Sequence, residues 1–453
     1  MKMNADFLRA FYNSRIYPVI VAALIFLGHA TGQELILGAV LAVTLIPALL
    51  VARDARFAIL PFLCAIFIVS VHDYTPGDPG YDRYLNPPFL IGMSVIAVLL
   101  IASLVCFIVR NRALANPFPK KGMLWSLLPF CAALLLNGAF SASYTANNLF
   151  YALATIASML AVYVLFVLYV RFDRKTFDYF MFCLVLAGLV IVAELLFAYC
   201  TTVQFENGQI VKGSVVLGWG VWTNIGGMLS FLMPACFYFA HSHRRGWIGY
   251  LLGLFFYFCI LLSQSRGALL IGSVILALCL LYLCLSGENR RRNRIFTIVL
   301  VACGVVGVLL LSSKLIALLR NFLSFGFADN GRFEKWSAGM RHFLDYPIFG
   351  SGFYDSYVDP EWDMGAYPYL YHNTVIQLLG ATGIVGFLAY LYHRVQTVRL
   401  ALTRRNAGKT FLAICILSLL LFSLTDVLLF KTYPTIFYAL MLLFMEKSEM
   451  TEE

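Results

Sequence analysis

Long apolar runs separated by short polar segments recur along nearly the whole chain. A helix needs roughly 20 apolar residues to cross a bilayer, and by that length we count about fourteen candidate spans. They lie approximately at residues 16–31, 33–51, 57–72, 88–109, 122–140, 148–170, 177–200, 217–240, 247–264, 267–285, 295–312, 373–392, 410–428 and 433–446. The pattern predicts an all-α polytopic membrane protein with about 12–14 transmembrane helices.

One hydrophilic segment, residues 313–372, interrupts this pattern late in the chain. At about 60 residues it is far longer than most connections, and loops of that length are usually functional or disordered. Its many aromatic residues favour an ordered, functional loop. We therefore divide the chain into an N-terminal membrane bundle of about eleven helices over 1–312, this loop, and C-terminal membrane helices with a short tail over 373–453.

An amphipathic helix is predicted inside the long loop, over roughly residues 331–344. Its apolar side is formed by four residues at helical spacing, Phe333, Trp336, Met340 and Phe343. Asp329 or Asn330 would cap the helix, and Tyr346-Pro347 would end it. Such a helix suits the membrane interface, where it would form a partial lid over the bundle, although an ordinary packed loop helix fits the pattern equally well.

The composition agrees with a membrane protein. The chain is 61% hydrophobic and 12% charged, with a mean hydropathy of +0.83, whereas soluble domains are about half apolar and a quarter charged. The net charge of +10 does not indicate nucleic-acid binding, because most basic residues lie in short loops on one side of the predicted spans. This bias predicts that both chain ends are cytoplasmic and that the long loop is extracytoplasmic.

The sequence gives little sign of a metal site. The eleven cysteines lie in or beside apolar segments without Cys-x-x-Cys spacing, which favours a role as small core residues. Four acidic residues of the long loop cluster in sequence, Asp355, Asp359, Glu361 and Asp363. Their oxygens are of the type that binds Ca²⁺ or Mg²⁺, but the glycine turn and regular ligand spacing of a calcium loop are missing. A solvated loop is the favoured interpretation.

Three cations lie near the predicted outer face. Arg266 stands in Ser263-Gln-Ser-Arg-Gly267, where two apolar runs meet, and a charge so close to lipid should face the bundle interior or water. Arg332 begins the predicted loop helix, where backbone N–H groups also favour an anion. Lys212 ends an outer loop that is predicted to form a small hairpin around Asn207-Gly208. Snorkelling or solvated surface cations are the alternative interpretation.

His372 lies at the membrane edge on the same side as these cations, immediately before Asn373 and the next apolar run. Histidine is the side chain best suited to proton transfer near neutral pH. A structural role at the interface is the alternative. Asn224 lies within a span, where an amide often hydrogen-bonds a neighbouring helix. Glu194 lies in the outer half of another span, and would pair with an arginine or relay protons.

The order and spacing of these residues resemble a known signature. Arg332-x-x-x-Trp336 is followed by Tyr346-Pro-Ile-Phe-Gly-Ser-Gly-Phe353, and then by His372-Asn373 with glycines at 380, 383 and 386. Together with Ser265-Arg266-Gly267 at a preceding outer turn, this is similar to the O-antigen ligase and polymerase superfamily of bacterial membrane glycosyltransferases. The resemblance covers roughly residues 219–390.

The resemblance implies transfer of a glycan from an undecaprenyl diphosphate carrier to a glycan or glycolipid acceptor, in the membrane lipid, without a nucleotide sugar, cofactor or required metal. It implies that Arg266 and Arg332 hold the donor diphosphate and that His372 is the base. Lys212 stands where a further arginine is often found, and it keeps the charge but loses the bidentate fork. The supporting residues would be Asn224, Asn373, Trp336 and Glu194.

Three alternatives remain open from the sequence. A ligase, which joins the glycan to a different acceptor, and a polymerase, which extends the same repeat, are not separated by these motifs. A transporter such as a lipid-linked glycan flippase would place charges near the bilayer midplane in two pseudo-symmetric halves, whereas this chain places them at one mouth. A non-catalytic assembly protein would tolerate loss of the three motif side chains.

Overall fold

The computed structural model describes residues 5–70, 86–142, 144–206, 209–310, 331–353 and 370–448. Nearly all regular structure in these ranges is helical, so the predicted all-α polytopic membrane fold is confirmed. The acidic cluster at 355–363, the predicted capping residues 329 and 330 and the hairpin tip at 207–208 lie outside the described residues.

The described ranges contain seventeen α-helical segments, numbered here in chain order. They are α1 Ala5–Tyr12, α2 Ile16–Thr31, α3 Glu34–Val51, α4 Ile59–Cys64, α5 Pro87–Asn111, α6 Leu124–Leu135, α7 Ala146–Ile156, α8 Val162–Tyr169, α9 Arg174–Thr201, α10 Trp222–Ser242, α11 Trp247–Leu262, α12 Arg266–Leu285, α13 Arg290–Leu310, α14 Arg332–Asp345, α15 Thr374–Leu402, α16 Ala407–Phe422 and α17 Thr432–Lys447. A π-helical turn, Ala157–Ala161, joins α7 to α8, and 3₁₀ turns occupy Ala55–Ala58, Ala65–Ile68, Arg112–Leu114, Lys212–Ser214 and Leu428–Phe430.

Two very short strand pairs lie between α9 and α10. β1 Phe205–Glu206 pairs antiparallel with β2 Gln209–Ile210, and this pairing confirms the predicted hairpin. β3 Val216–Leu217 pairs with β4 Gly220–Val221 directly before α10. The β3–β4 pair therefore connects the β1–β2 hairpin to α10.

Fewer helices reach membrane length than the apolar runs predict. Among the described residues seven are long and apolar enough to cross a bilayer, or eight if α1 and α2, bent by 61°, form one span. Every predicted span falls on a helix, but several helices are short. α6, for example, has 12 residues and is therefore only about 18 Å long. An apolar run thus locates a helix better than it gives its length.

The helices differ sharply in how much protein surrounds them. α10 is the central helix, with 83% of its apolar window buried, and it packs against α9, α11, α12 and α16. α5 has only 11% of its window buried. A helix that is apolar on all sides and covered on few is typical of a lipid-facing position. The polar residues discussed below therefore surround the start of the central helix.

A break in α15 holds the loop segment that follows α14. Gly383 lies inside α15 with φ +62°, a conformation that glycine adopts without strain. At this break Ile384 N donates to Pro347 O at 2.9 Å, and Ser351 N donates to Gly380 O at 2.8 Å. Gly350 and Gly352 form a tight turn here, with φ values of +71° and +101°. The turn is therefore docked into the helix by backbone hydrogen bonds.

Candidate functional site

The segment before α15 fixes the backbone of His372. His372 has φ +53°, which is unusual for a residue with a side chain. Asn373 caps α15 by accepting from Val375 N at 2.9 Å, and its Nδ2 donates to Leu424 O at 3.1 Å. Thr374 N donates to Ser423 O at 2.9 Å. The start of α15 is therefore tied to residues 423–431, the link between α16 and α17.

This link supplies the partner of His372. The Nδ1 of His372 lies 3.2 Å from Oδ1 of Asp426, and the two side chains are 33% and 5% exposed. Burial would raise the pKa of Asp426, but the charge of Lys431, the hydrogen bond from His372 and a backbone N–H bond from Val427 outweigh it, so this pKa lies below its usual range. Asp426 is therefore ionised, and His372 donates its Nδ1–H to it.

A lysine meets the other ring nitrogen. Lys335 Nζ lies 3.3 Å from Nε2 of His372. It belongs to α14, which runs from Arg332 to Asp345, one residue later than predicted at each end. The side of this helix that faces α15 carries Lys335, Gly339 and His342. Gly339 is buried, and Nδ1 of His342 contacts the hydroxyl of Tyr371. The predicted apolar side is not the packed side at its start, since Phe333 is 65% exposed.

The three predicted anion-binding cations are brought together. Burial lowers the pKa of Lys212, and the charges of Arg266 and Arg332 lower it further. These residues come from three separate elements, namely the 3₁₀ turn before β3 and the first residues of α12 and α14. The ammonium of Lys212 also lies 5.3 Å from the ring centre of Trp222. Like charges gathered in this way create a site for an anion.

Arg266 lies beside the link that carries Asp426. Ser265 caps α12 by accepting from Ala268 N at 3.3 Å. A Cβ placed on the next residue, Gly267, would lie 3.3 Å from Oγ1 of Thr425. Thr425 is the immediate neighbour of Asp426. The cation cluster and the His372–Asp426 pair are therefore parts of one site.

A further lysine joins the site from the end of the same link. Lys431 Nζ donates to Oδ1 of Asn224 at 2.7 Å. Asn224 lies in the first turn of α10 and is buried. The amide was predicted to bond a neighbouring helix, and its partner is the residue immediately before α17. Because the Lys431 charge also lowers the pKa of Asp426, the contact connects the central helix to the acid.

The remaining predicted residues have other partners. Glu194 is buried in α9, accepts from Nε1 of Trp219 at 2.7 Å, and lies 4.0 Å from His29 rather than beside an arginine. The ring of Trp336 packs edge-on against Phe333 at 5.3 Å, and its buried Nε1 has no hydrogen-bond partner in the described part of the chain. Within the described ranges no group of three or more His, Cys, Asp or Glu residues is placed to hold a metal.

A comparison with known protein families finds a match for the segment that contains much of this site. Residues 248–391 match the family model described as O-antigen ligase. This segment of the chain is similar to the O-antigen ligase family. The match supports membership of the O-antigen ligase and polymerase superfamily, as the motifs indicated, and implies activity of the glycosyltransferase type in a bacterial membrane. No curated protein matches the chain.

The segment that matches the family model contains much of the site, but not all of it. Arg266, α14 with Arg332, the docked turn and His372 lie within residues 248–391. Lys212 precedes the matched segment, and Asp426 and Lys431 follow it. The site therefore also includes residues from both sides of the matched segment.

Sequence reasoning missed Asp426, Lys335 and Lys431. A signal for Asp426 existed, because an acid inside an apolar run, the predicted span 410–428, is a default functional candidate. Lys431 follows the same run closely. Lys335 had no comparable signal, since a lysine on an amphipathic helix is usually solvated.

Proposed function

We propose that this protein is a membrane glycosyltransferase that moves a glycan from an undecaprenyl diphosphate carrier to an acceptor sugar or a growing polysaccharide. In this proposal the reaction takes place at the outer face of the bacterial cytoplasmic membrane, with the segment 313–372 extracytoplasmic and both chain ends cytoplasmic. The observation that carries the proposal is the meeting of Lys212, Arg266 and Arg332 beside the His372–Asp426 pair.

The cation cluster binds the donor diphosphate. Arg266 and Arg332 present planar forks that match phosphate oxygens, and Lys212 adds a point charge. When the anomeric carbon–oxygen bond breaks, its electron pair goes to the diphosphate, and cations already in position stabilise that charge. In this proposal the side chains supply the positive charge, so that neither a metal nor a cofactor is required.

His372 activates the acceptor. The acceptor hydroxyl attacks the anomeric carbon while Nε2 of His372 takes its proton, so the bond to the diphosphate breaks as the new glycosidic bond forms. Asp426 holds the Nδ1–H and stabilises the imidazolium that results. A single displacement of this kind inverts the anomeric configuration, and a product that keeps the donor configuration would contradict it.

The other predicted residues have supporting roles. Asn373 caps α15 and ties His372 to the link that carries Asp426, and Asn224 positions Lys431 beside that acid. Trp336 offers an indole N–H one turn from Arg332, which suits a sugar or phosphate oxygen. Glu194 stiffens the bundle through its hydrogen bond with Trp219.

The proposal is tested by reconstituting the protein in lipid vesicles with an undecaprenyl diphosphate-linked glycan from the host pathway. Released undecaprenyl diphosphate and growth of the glycan are measured for wild type, His372→Ala, Arg266→Ala and Arg332→Ala. Arg341→Ala is the matched control, because Arg341 is an exposed arginine of α14 that contacts Ser337. We expect release in the wild type and the control, and its loss in the other three.

The acceptor found in the product distinguishes ligase from polymerase. Extension of the same repeat means polymerisation, and attachment to a different glycan or glycolipid means ligation. Movement of intact lipid-linked glycan across the bilayer without release would instead support a flippase. Full activity of all three variants would overturn the assignment of these residues.

A further inference from the structure

The contact of Lys335 with His372 concerns the nitrogen that the proposed reaction needs. With Nδ1–H donated to Asp426, only Nε2 has a lone pair for the acceptor proton. Lys335 Nζ lies 3.3 Å from that nitrogen. An ammonium group has donors and no acceptor, so it donates to the Nε2 lone pair. The base is therefore occupied in this structure.

Lys335 also lies close to the donor cations. It is three residues after Arg332 on α14, and side chains at that spacing lie on the same side of a helix. Arg332 in turn affects the pKa of Lys212 together with Arg266. The Lys335 ammonium thus contacts the base and lies on the same side of α14 as Arg332, one member of the cluster that would take the diphosphate.

We infer that Lys335 covers the base while the donor site is empty and releases it when a diphosphate binds. The inference rests on the proposed function for the nature of the ligand. A diphosphate oxygen carries negative charge, and an ammonium bonds it more strongly than a neutral imidazole. Only the flexible lysine side chain has to move, because α14 is held through Gly339 and His342 against Tyr371.

The consequence is an order of binding. Without the donor, an acceptor hydroxyl or water finds Nε2 of His372 already hydrogen-bonded. With the donor in place, Lys335 neutralises the diphosphate and Nε2 is exposed beside the anomeric carbon. One side chain thereby couples donor binding to activation of the acceptor, and Lys335 is a positioning residue that acts through His372.

The test measures access to the Nε2 lone pair directly, by acylation with diethyl pyrocarbonate and mass spectrometry of the peptide that contains His372. The full-length protein in detergent is treated with and without farnesyl diphosphate as the probe, and with farnesol as the uncharged control. We expect farnesyl diphosphate, but not farnesol, to accelerate acylation of His372 in the wild type by roughly tenfold to a hundredfold, as the loss of one charged hydrogen bond implies.

Two variants separate the cover from general disturbance. Lys335→Met should acylate fast at His372 without any ligand, and farnesyl diphosphate should add little. Arg341→Met, on the exposed side of the same helix, should behave as the wild type. His393 is completely buried and reports folding, because it should stay unmodified in every sample.

The inference is overturned if His372 of the wild type reacts equally fast with and without farnesyl diphosphate, or if Lys335→Met remains slow. The assay uses no glycan and no transfer. If the acylation assay contradicts the role of Lys335, the transferase proposal is unaffected. Failure of glycan transfer itself would be detected separately, in the vesicle assay.

Discussion

Two histidines, one just before α15 and one within it, show what distinguishes a chemical site from a structural one. His372, at the start of α15, is 33% exposed and lies between the carboxylate of Asp426 and the ammonium of Lys335. His393, roughly five turns later, is fully buried, and its nitrogens contact the hydroxyls of Ser126 and Tyr438 at 2.8 and 2.7 Å. Solvent access and charged partners, rather than residue type, suit the first to proton transfer.

Two arginines, Arg394 in the second half of α15 and Arg266 at the start of α12, also have different surroundings. Arg394 lies between the rings of Tyr390 and Tyr438, 4.8 and 4.7 Å from their centres, so its charge is stabilised by the protein itself. Arg266 lies close enough to Lys212 for its charge to lower the pKa of that lysine, and Arg332 acts on Lys212 in the same way. Repulsion among like charges costs stability, and a fold that keeps it commonly does so to bind an anion.

The largest effect should separate the two histidines. His372→Ala should lower glycan transfer about 10²- to 10⁴-fold, the usual contribution of a general base. His393→Ala should leave turnover per folded molecule nearly unchanged while lowering the unfolding temperature, because two buried hydroxyls lose a partner. Transfer rates and thermal unfolding, measured on both variants, test this. Equal losses of turnover would show that the contrast in exposure and charge has no bearing on chemistry.

The next effect concerns the carboxylate beside His372. Asp426→Asn keeps the shape but removes the charge that orients the ring and stabilises the imidazolium. We expect turnover to fall about 10- to 100-fold, as the loss of a charged hydrogen bond implies. Asp178→Asn is the matched control, since Asp178 accepts from Tyr238 at 2.5 Å away from the site. A full rate for Asp426→Asn would mean that Asp426 merely fixes the backbone of its link.

A smaller effect should come from the break that lies between the two histidines. A Cβ on Gly383 would lie 2.4 Å from the carbonyl of Ile348, and the φ of +62° disfavours alanine. Gly383→Ala should lower the free energy of unfolding by about 1–3 kcal/mol. Gly304 in α13 has open space around it, so Gly304→Ala should preserve or slightly raise stability. Calorimetry in detergent compares the unfolding of the two variants. Equal unfolding temperatures would contradict the view that α15 has to break at Gly383.

The sequence predicted the elements of this contrast better than their contacts. The apolar periodicity located the helices, and the spacing of Arg266, Arg332 and His372 indicated the site. Asp426 and Lys335 were missed because they lie 54 and 37 residues from His372 along the chain. Such pairings depend on how helices pack, which local periodicity does not encode. On α14 the predicted apolar side includes the exposed Phe333, whereas Gly339 packs against Tyr371, which periodicity alone did not indicate.

The smallest effect concerns the protonation of Lys212 when a diphosphate binds. Burial and the charges of Arg266 and Arg332 place the pKa of Lys212 below its usual 10.5. A bound diphosphate favours the charged amine and raises that pKa. Between the two values the protein takes up protons on binding, and above the lower value the affinity for diphosphate falls as the pH rises.

Calorimetric titration with farnesyl diphosphate, in mildly alkaline buffers of different ionisation enthalpy, measures this uptake. We expect a fraction of one proton per ligand in the wild type, and less in Lys212→Arg, because arginine stays charged at such pH. Retained uptake in Lys212→Arg would assign the proton to another group. The differences between His372 and His393 and between Arg266 and Arg394 would still hold. Lys212 would no longer be assigned to the anion site.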